Sequence, residues 1–297
     1  MNTIFSWLQA ARIPSQSYIF IPLLLGQTIS YVQNNEWNWT YFILIHAFGL
    51  FMQLYIIFAN DYADFETDLK NKTATIFSGG SRVLVQGKIK KSTLLKAAKV
   101  MALLSFIVSI FLSFYHFNYL IVVLCLTGLL LLNQYSYPPL KLSYRGGGEL
   151  LQMLGVGLVL PIFGYLGQFG EMKNFPIEIF AFLLPINLSC AIATSLPDEP
   201  SDNESHKRTI VVVYGSNCAK IIIILLEIFA FVYYMLTLNE PFNSITIYKI
   251  PGILILVSLF FFHSKPGSVF ISIFVFFSIA VNLSIQCILI LQNLRLI

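Results

Sequence analysis

The sequence predicts an all-α integral membrane protein with about nine transmembrane helices. Of its 297 residues, 57% are hydrophobic and only 11% are charged, whereas charged residues make up about 25% of an ordinary soluble domain. Long stretches without a charged residue recur along the chain, and a spanning helix needs about 20 apolar residues. These observations exclude a soluble globular domain and predict a single membrane domain over residues 1–297.

The uncharged stretches define the predicted helices in order. The 41-residue stretch 100–140 is long enough for two helices, which we expect to be separated by a turn near Tyr115-His116-Phe117-Asn118. No small-residue cleavage site follows the first apolar run, so we expect a mature first helix rather than a removed signal peptide. The uncharged stretches are 13–35, 37–60, 100–140, 150–170, 179–197, 250–264 and 266–294, and residues 221–239 contain only Glu227.

The distribution of Lys and Arg predicts the orientation in the membrane. With nine helices, fifteen of the 18 basic residues lie on the side of the N-terminus and three lie on the other side. We therefore expect the N-terminus and the polar loops to be cytoplasmic, in a bacterial inner membrane or a plasma membrane. This topology alone explains Lys88, Lys90 and Lys91. The net charge of +4 then belongs to one membrane face and gives no reason to expect a nucleic-acid partner.

Acidic residues are rare but clustered. Only 14 residues are Asp or Glu, yet four of them lie between Asn60 and Asp68 at the end of an apolar run. On a helix, Asp61, Asp64 and Asp68 fall within about 60° of one another, and Asn60 lies just outside this stripe. At ~6 Å and an effective dielectric constant near 20, each pair of like charges costs roughly 3 kcal/mol. Mg²⁺ relieves such repulsion and prefers one or two carboxylates together with water and phosphate oxygens. The stripe therefore predicts a magnesium site and a phosphorylated substrate.

A second acidic cluster, Asp198-Glu199-Pro200-Ser201-Asp202, closes another apolar run. Asp198 and Asp202 share a face if this segment is helical, and Pro197 and Pro200 are compatible with a helix start or with a turn. Alone, the pair is weak evidence for a site. Together, the two clusters favour a metal site over helix ends that merely meet water.

Basic residues in glycine-rich and proline-rich turns are candidates for binding phosphate. The turn Ser78-Gly79-Gly80-Ser81-Arg82 offers backbone amides and a guanidinium group, and Lys141 follows the segment Tyr137-Pro138-Pro139-Leu140. For four further basic residues, phosphate binding and simple membrane topology are equally compatible with the sequence: Arg12, Arg145, Lys207 and Arg208.

The remaining polar residues do not predict another site. The four cysteines and four histidines are dispersed and form no C-x-x-C pair, so no zinc site or disulfide is predicted. His46 and Glu227 lie inside predicted helices, where an ionisable group is costly, and the sequence identifies no partner for either.

These motifs resemble those of the UbiA-type intramembrane prenyltransferases. N-D-Y-A-D-F-E-T-D fits the family pattern N-D-x-x-D-x-x-x-D, and D-E-P-S-D fits D-x-x-x-D. Tyr137 and Lys141 fit the pattern Y-x-x-x-K. The segments G-G-S-R-V-L and Y-P-P-L-K-L-S-Y-R-G resemble those of one branch of the family. The members of that branch prenylate 1,4-dihydroxy-2-naphthoate in menaquinone or phylloquinone synthesis. The resemblance covers the whole chain.

The resemblance implies a helical bundle around a central cavity and the transfer of a polyprenyl group from a polyprenyl diphosphate to an aromatic acceptor, 1,4-dihydroxy-2-naphthoate. It implies that Arg82, Lys141 and Arg208 neutralise charge on the departing diphosphate. From the residues themselves we also predict that Arg145 and Lys207 bind diphosphate, that Lys141 is catalytic, and that Tyr137 and Arg12 lie on the acceptor side or remove a proton. The Mg²⁺ ligands that the resemblance implies are Asn60, Asp61, Asp64, Asp68, Asp198 and Asp202, of which the five aspartates are also catalytic.

The sequence leaves two alternatives open. The acceptor could instead be 4-hydroxybenzoate, homogentisate, chlorophyllide, haem or a glycerol-phosphate lipid. In a different functional class, the chain could be a non-catalytic membrane transporter. A transporter would place its acids in broken helices near the middle of the bilayer, whereas the acidic clusters here follow the ends of apolar runs.

Overall fold

The computed structural model describes residues 3–75, 77–237 and 246–296, and these residues form helices and no β-strand. The helical fold class predicted from the sequence is confirmed. The helices are α1 (Thr3–Ala10), α2 (Ser17–Asn34), α3 (Trp39–Ala63), α4 (Phe65–Lys70), α5 (Lys91–His116), α6 (Leu120–Ser136), α7 (Leu142–Arg145), α8 (Gly148–Leu154), α9 (Leu160–Phe169), α10 (Phe180–Ser195), α11 (Glu199–Glu204), α12 (Ile210–Tyr214), α13 (Ser216–Thr237), α14 (Ile250–Ser258) and α15 (Val269–Asn293).

Within the described residues, six helical segments are long and apolar enough to cross a membrane. Two shorter apolar segments, Leu120–Ser136 and Ile247–Phe261, accompany them. The count of nine helices stays a prediction, and residues 238–239 of the predicted stretch 221–239 lie outside the described residues. The six long segments are Trp39–Ala63, Lys91–His116, Gly148–Phe169, Ile177–Glu204, Ser216–Thr237 and Val269–Asn293.

The turn predicted inside the uncharged stretch 100–140 is confirmed. Helix α5 ends at His116, Phe117 adopts a left-handed conformation, and α6 begins at Leu120. The side chain of Asn118 accepts a hydrogen bond from the Leu120 amide and donates one to the Gly170 carbonyl. His116 contacts the Gly167 carbonyl at 2.9 Å. Polar side chains therefore satisfy backbone groups where the chain reverses direction.

The chain divides into two compact units. The first unit consists of Met1–Lys70, Gly79–Lys141 and Val159–Phe175, and the second consists of Asn71–Ser78, Leu142–Leu158 and Pro176–Ile297. The first acidic cluster therefore belongs to the first unit, and the second acidic cluster belongs to the second.

Close contact between α2 and α9 organises the first unit. A Cβ atom on Gly26 would overlap the Pro161 carbonyl oxygen, and one on Gly164 would overlap the Leu23 carbonyl oxygen. The rings of Phe48 and Phe163 stack with their centroids 3.7 Å apart. Small residues at helix contacts allow backbones to approach closely inside a membrane, so these glycines let α9 lie directly against α2.

Buried polar side chains connect the helices of the second unit. Asn282 on α15 donates to Asn187 on α10 at 3.1 Å, and Ser278 on α15 donates to Glu227 on α13. Glu227 thus has the partner that the sequence did not identify. His46 has one as well, because its ring contacts the Gln27 side chain at 3.0 Å in the first unit.

Candidate functional site

The first acidic cluster lies where α3 ends and α4 begins. The helix is not continuous, because Asp64 caps α3 and has non-helical backbone angles. The Asp64 amide still donates to the Asn60 carbonyl, and the Asp68 amide donates to the Asp64 carbonyl. Asp61, Asp64 and Asp68 are all buried, while Glu66 is exposed. The predicted acidic stripe is present, with a break at its centre.

The glycine-rich turn packs directly on this cluster. Both the amide and the hydroxyl of Ser81 donate to the Asp61 carboxylate. The guanidinium of Arg82 donates to the Asp68 carbonyl. The turn that was predicted to bind phosphate therefore also fixes Asp61 and the backbone of α4.

Gly80 brings two carboxylates to one point. It has a φ of +68°, which favours glycine. A Cβ atom at this position would lie 3.1 Å from an Asp61 carboxylate oxygen and would overlap an Asp68 carboxylate oxygen. The carboxylates of Asp61 and Asp68 thus converge at Gly80.

The donor set of the first cluster fits Mg²⁺. Among the residues that the structure describes, no three His, Cys, Asp or Glu side chains form a group that could hold a metal ion by themselves. Two carboxylates nevertheless meet at Gly80, and Mg²⁺ commonly takes one or two carboxylates and completes its shell with water and phosphate oxygens. The arrangement suits an ion that shares its ligands with a phosphorylated substrate.

Three basic residues of the first unit have left-handed backbones: Arg12 at φ 43°, Arg82 at φ 65° and Lys141 at φ 46°. This conformation is uncommon for residues other than glycine and is concentrated at functional sites. The charge of Arg12 also acts on Asp61. Two of the three, Arg12 and Arg82, are therefore brought to the first acidic cluster.

Tyr137 supports the backbone behind the cluster. Its hydroxyl donates to the Ala59 carbonyl at 2.7 Å, and the neighbouring Ser136 donates to the Asn60 side chain at 3.1 Å. Burial, two neighbouring phenols and the charge of Asp64 raise the pKa of Tyr137 to about 12. A protonated phenol that already donates to a carbonyl is not a base, so this geometry argues against proton removal by Tyr137.

The second acidic cluster forms a short helical segment. Leu196–Asp198 is a 3₁₀ turn, and α11 follows it with Asp198 at the N-cap. Pro197 and Pro200 each lie at the second position of their respective helical turns, where a missing amide proton costs little. The helical interpretation of this segment, rather than the simple turn, is therefore correct.

Asn71 holds the second cluster, although it was not among the predicted site residues. Its side-chain amide donates to Asp198 at 2.7 Å, and its carbonyl oxygen accepts from the Thr73 amide at 2.9 Å. The Thr73 hydroxyl donates to the Pro197 carbonyl at 2.7 Å. The spacing 61, 64, 68 continues to 71, which is a signal that the sequence did contain.

The three predicted diphosphate-binding residues of the second unit separate into two groups. Lys207 is buried, lies 3.4 Å from the Asp202 carboxylate and 5.0 Å from the centre of the Tyr144 ring. Arg145 and Arg208 are exposed. Lys207 is therefore brought to the second cluster, while no contact of the Arg145 or Arg208 side chain with an acidic residue is seen among the described residues.

Comparison with known proteins identifies the family. A model described as the UbiA prenyltransferase family matches residues 19–282. The chain belongs to the UbiA prenyltransferase family. It is therefore an integral membrane protein of an enzyme family, as the composition and motifs predicted.

One curated relative is a 2-carboxy-1,4-naphthoquinone phytyltransferase from Synechocystis sp. (strain ATCC 27184 / PCC 6803 / Kazusa). It is 22% identical over 188 residues, which cover 63% of this chain and only 57% of the relative. The chain thus matches a little over half the length of this relative.

Solved structures of UbiA homologues share the fold. A homologue from Archaeoglobus fulgidus bound to GPP and Mg²⁺ has a TM-score of 0.68 at 15% identity, covering 96% of this chain and 99% of the homologue. An apo homologue from Aeropyrum pernix K1 has a TM-score of 0.65 at 15% identity, covering 94% and 98%. A digeranylgeranylglyceryl phosphate synthase has a TM-score of 0.63 at 19% identity, covering 99% and 100%.

We predict that Gly80→Ala impairs prenyl transfer far more than Gly87→Ala. Both glycines have a positive φ, so both variants carry the left-handed strain of about 1 kcal/mol. Only the methyl group at position 80 meets carboxylates, because nothing lies within 4 Å of a Cβ atom at position 87. Prenyl transfer and thermal unfolding of the purified variants are the measurements. Equal transfer rates in the two variants would contradict convergence of the carboxylates at Gly80.

We predict that Tyr137→Phe retains most of its prenyl transfer and an unchanged pH profile between pH 6 and 9. The variant loses one hydrogen bond, worth about 0.5–1.5 kcal/mol, and the pKa of about 12 keeps the wild-type phenol protonated across this range. Loss of a general base would instead reduce the rate roughly 10²–10⁴-fold. The transfer rate as a function of pH distinguishes these outcomes.

Proposed function

We propose that the protein transfers a polyprenyl group from a polyprenyl diphosphate to an aromatic acceptor in an Mg²⁺-dependent reaction, and that both acidic clusters serve one diphosphate. In this proposal the two units act as one domain. The observation that carries it is the convergence of Asp61 and Asp68 at Gly80 beneath a turn that ends in Arg82. Chain order adds support, since Asn71, which donates to Asp198, follows Asp68 by only three positions.

Each cluster supplies oxygen donors of the type that magnesium prefers. In the first cluster these are Asn60, Asp61, Asp64 and Asp68, and in the second they are Asp198 and Asp202. When bound, Mg²⁺ supplies charge neutralisation for the diphosphate as it leaves. Ser81 orients Asp61, and Asn71 orients Asp198, so the ligands are held in position before substrate arrives.

Basic side chains are proposed to stabilise the diphosphate directly. Breaking the allylic carbon–oxygen bond increases negative charge on the leaving group, and fixed cations stabilise that charge. Arg82 and Lys141 are the main candidates, and Lys207, Arg145 and Arg208 are the further candidates. Arg12 acts on Asp61 electrostatically, which gives it a role beside the metal ligands and is compatible with the acceptor side.

The apolar helices provide the second requirement of this chemistry. An allylic cation must be kept from water until the aromatic ring attacks it. The six long apolar segments can exclude water and accommodate the prenyl chain. Membership in a family of prenyltransferases does not support the alternative of a non-catalytic transporter.

The proposed acceptor is 1,4-dihydroxy-2-naphthoate. The G-G-S-R-V-L and Y-P-P-L-K-L-S-Y-R-G segments support this choice, as does the naphthoquinone phytyltransferase name of the curated relative. We further propose that the N-terminus and the loops bearing both clusters are cytoplasmic, because the basic residues are concentrated on that side.

We predict that Asp61→Ala, Asp64→Ala and Asp198→Ala each reduce prenyl transfer at least 100-fold in isolated membranes, and that chelation of Mg²⁺ abolishes transfer by the wild type. Glu66→Gln is the matched control, since Glu66 belongs to the same acidic segment but is exposed. Wild-type rates in any of the three aspartate variants would rule out the metal-binding assignment of that residue.

We predict that 1,4-dihydroxy-2-naphthoate is the best substrate in a panel of acceptors assayed with one labelled polyprenyl diphosphate. The panel includes 4-hydroxybenzoate, homogentisate, chlorophyllide, haem and a glycerol-phosphate lipid, and mass spectrometry identifies the product. A higher kcat/KM for another member of the panel would refute 1,4-dihydroxy-2-naphthoate as the acceptor, but it would not affect the proposal of metal-dependent prenyl transfer.

A further inference from the structure

Helix α1 packs one face against the first unit. Ser6 and Ala10 are buried, and Ala10 belongs to the hydrophobic core around the end of α3. The Trp7 ring packs edge-on against Phe58, with the ring centroids 5.7 Å apart. The helix is therefore fixed close to the residues that precede the first acidic cluster.

Gln9 connects α1 to the loop that begins with the glycine-rich turn. Its side-chain amide donates to the Ser81 carbonyl at 2.8 Å and to the Gln86 side chain at 3.0 Å. Its carbonyl oxygen accepts from Lys88 at 2.6 Å. Because Ser81 in turn donates to Asp61, Gln9 contacts the same turn residue that holds the carboxylate. Lys88, which membrane topology alone could explain, thus has a specific contact.

The opposite face of α1 is apolar and exposed. Ile4, Phe5 and Leu8 are 67%, 69% and 49% exposed, and at about 100° per residue they occupy a single arc of the helix. Two further exposed apolar residues follow along the chain, Ile13 after α1 and Phe20 in α2. The helix contains no charged residue.

We propose that α1 lies in the lipid interface with Ile4, Phe5 and Leu8 among the acyl chains, and that Gln9 is a positioning residue that couples this anchored helix to the glycine-rich turn. A short helix with one apolar face binds at the membrane surface through that face. The exposed apolar side chains of α1, of Ile13 and of Phe20 in α2, in a chain that spans the membrane, identify lipid as the occupant. The coupling to catalysis rests on the proposed function, whereas the location of the helix does not.

Spin-label accessibility tests the location. The four cysteines are replaced by serine in the full chain, and a label is placed at Leu8→Cys or, as a water-exposed control, at Glu66→Cys. The protein is reconstituted into phosphatidylethanolamine and phosphatidylglycerol vesicles. We expect the label at position 8 to collide with oxygen and the label at position 66 with a water-soluble nickel chelate. Nickel access at position 8, or access by neither reagent because protein covers the face, would overturn the proposal.

Hydrogen exchange tests the coupling without relying on activity. In Gln9→Leu, we expect peptides covering residues 78–88 to exchange at least 10-fold faster, with unchanged exchange in α5. The control is Gln16→Leu, because the Gln16 side chain donates only to the nearby Ala11 carbonyl. Unchanged exchange of residues 78–88 in Gln9→Leu would refute the positioning role.

Steady-state kinetics test whether the contact of Gln9 with the glycine-rich turn affects substrate binding and catalysis. We expect Gln9→Leu to raise the KM for polyprenyl diphosphate and to lower kcat, with kcat/KM reduced at least 10-fold, since the displaced turn carries Arg82 and holds Asp61, which the proposed function places against the charge that develops on the leaving diphosphate. Gln9→Glu keeps the acceptor for Lys88 but loses both donated bonds, so its KM should be intermediate. Absence of prenyl transfer in the wild type would refute the proposed function, while the exchange and accessibility results would still decide the role of α1.

Discussion

Burial of carboxylates at the ends of apolar helices is the constraint on which this structure depends. Asp61 is 3% exposed and Asp202 is 4% exposed, and an ionised group removed from water needs partners to compensate for its lost hydration. The first unit compensates Asp61 with two hydrogen bonds from Ser81. The second unit compensates Asp202 with Lys207. The polar loops therefore stabilise the buried carboxylates at the ends of the helices, in addition to the substrate binding that we propose for them.

The loops hold each cluster through residues outside the acidic motifs. Ser81 and Gly80 come from a turn that follows the first cluster by more than ten residues, and Asn71 holds Asp198 across 127 positions of sequence. Such residues contact the proposed metal ligands without being proposed ligands themselves, and outer partners of this kind commonly tune metal affinity. This arrangement explains why the acidic motifs are short while the sequence around them also carries Gly, Asn and Thr at specific places.

Much of the architecture could be predicted because it follows from local chemistry. Hydropathy located the apolar helices, and the reversal near His116 and Phe117 followed from a stretch that was too long for one span. Helical spacing placed Asp61, Asp64 and Asp68 on one side, and all three are buried in the structure. The positions of Pro197 and Pro200 were compatible with the short helical segment that the structure contains.

Other features could not be predicted because they depend on contacts between distant segments. The break at Asp64 has no glycine or proline to mark it. The contacts of Gln9 with the loop beginning at Ser81, and of Glu227 with Ser278, join residues far apart in sequence. The Lys91 ammonium lies 4.8 Å from the centre of the Tyr62 ring, although charge distribution alone was sufficient to explain that lysine. Periodicity describes which face a residue occupies, but not what lies opposite it.

Anomalous diffraction is the most direct measurement of the central claim, that two separate acidic clusters bind one diphosphate through divalent ions. The protein would be crystallised with Mn²⁺ in place of Mg²⁺ and with a non-hydrolysable polyprenyl thiolodiphosphate. We expect manganese peaks within direct coordination distance of carboxylate oxygens of both clusters, with diphosphate oxygens as further ligands. Manganese and diphosphate bound to the first cluster alone, with Asp198 and Asp202 making no contact through metal or water, would contradict this claim.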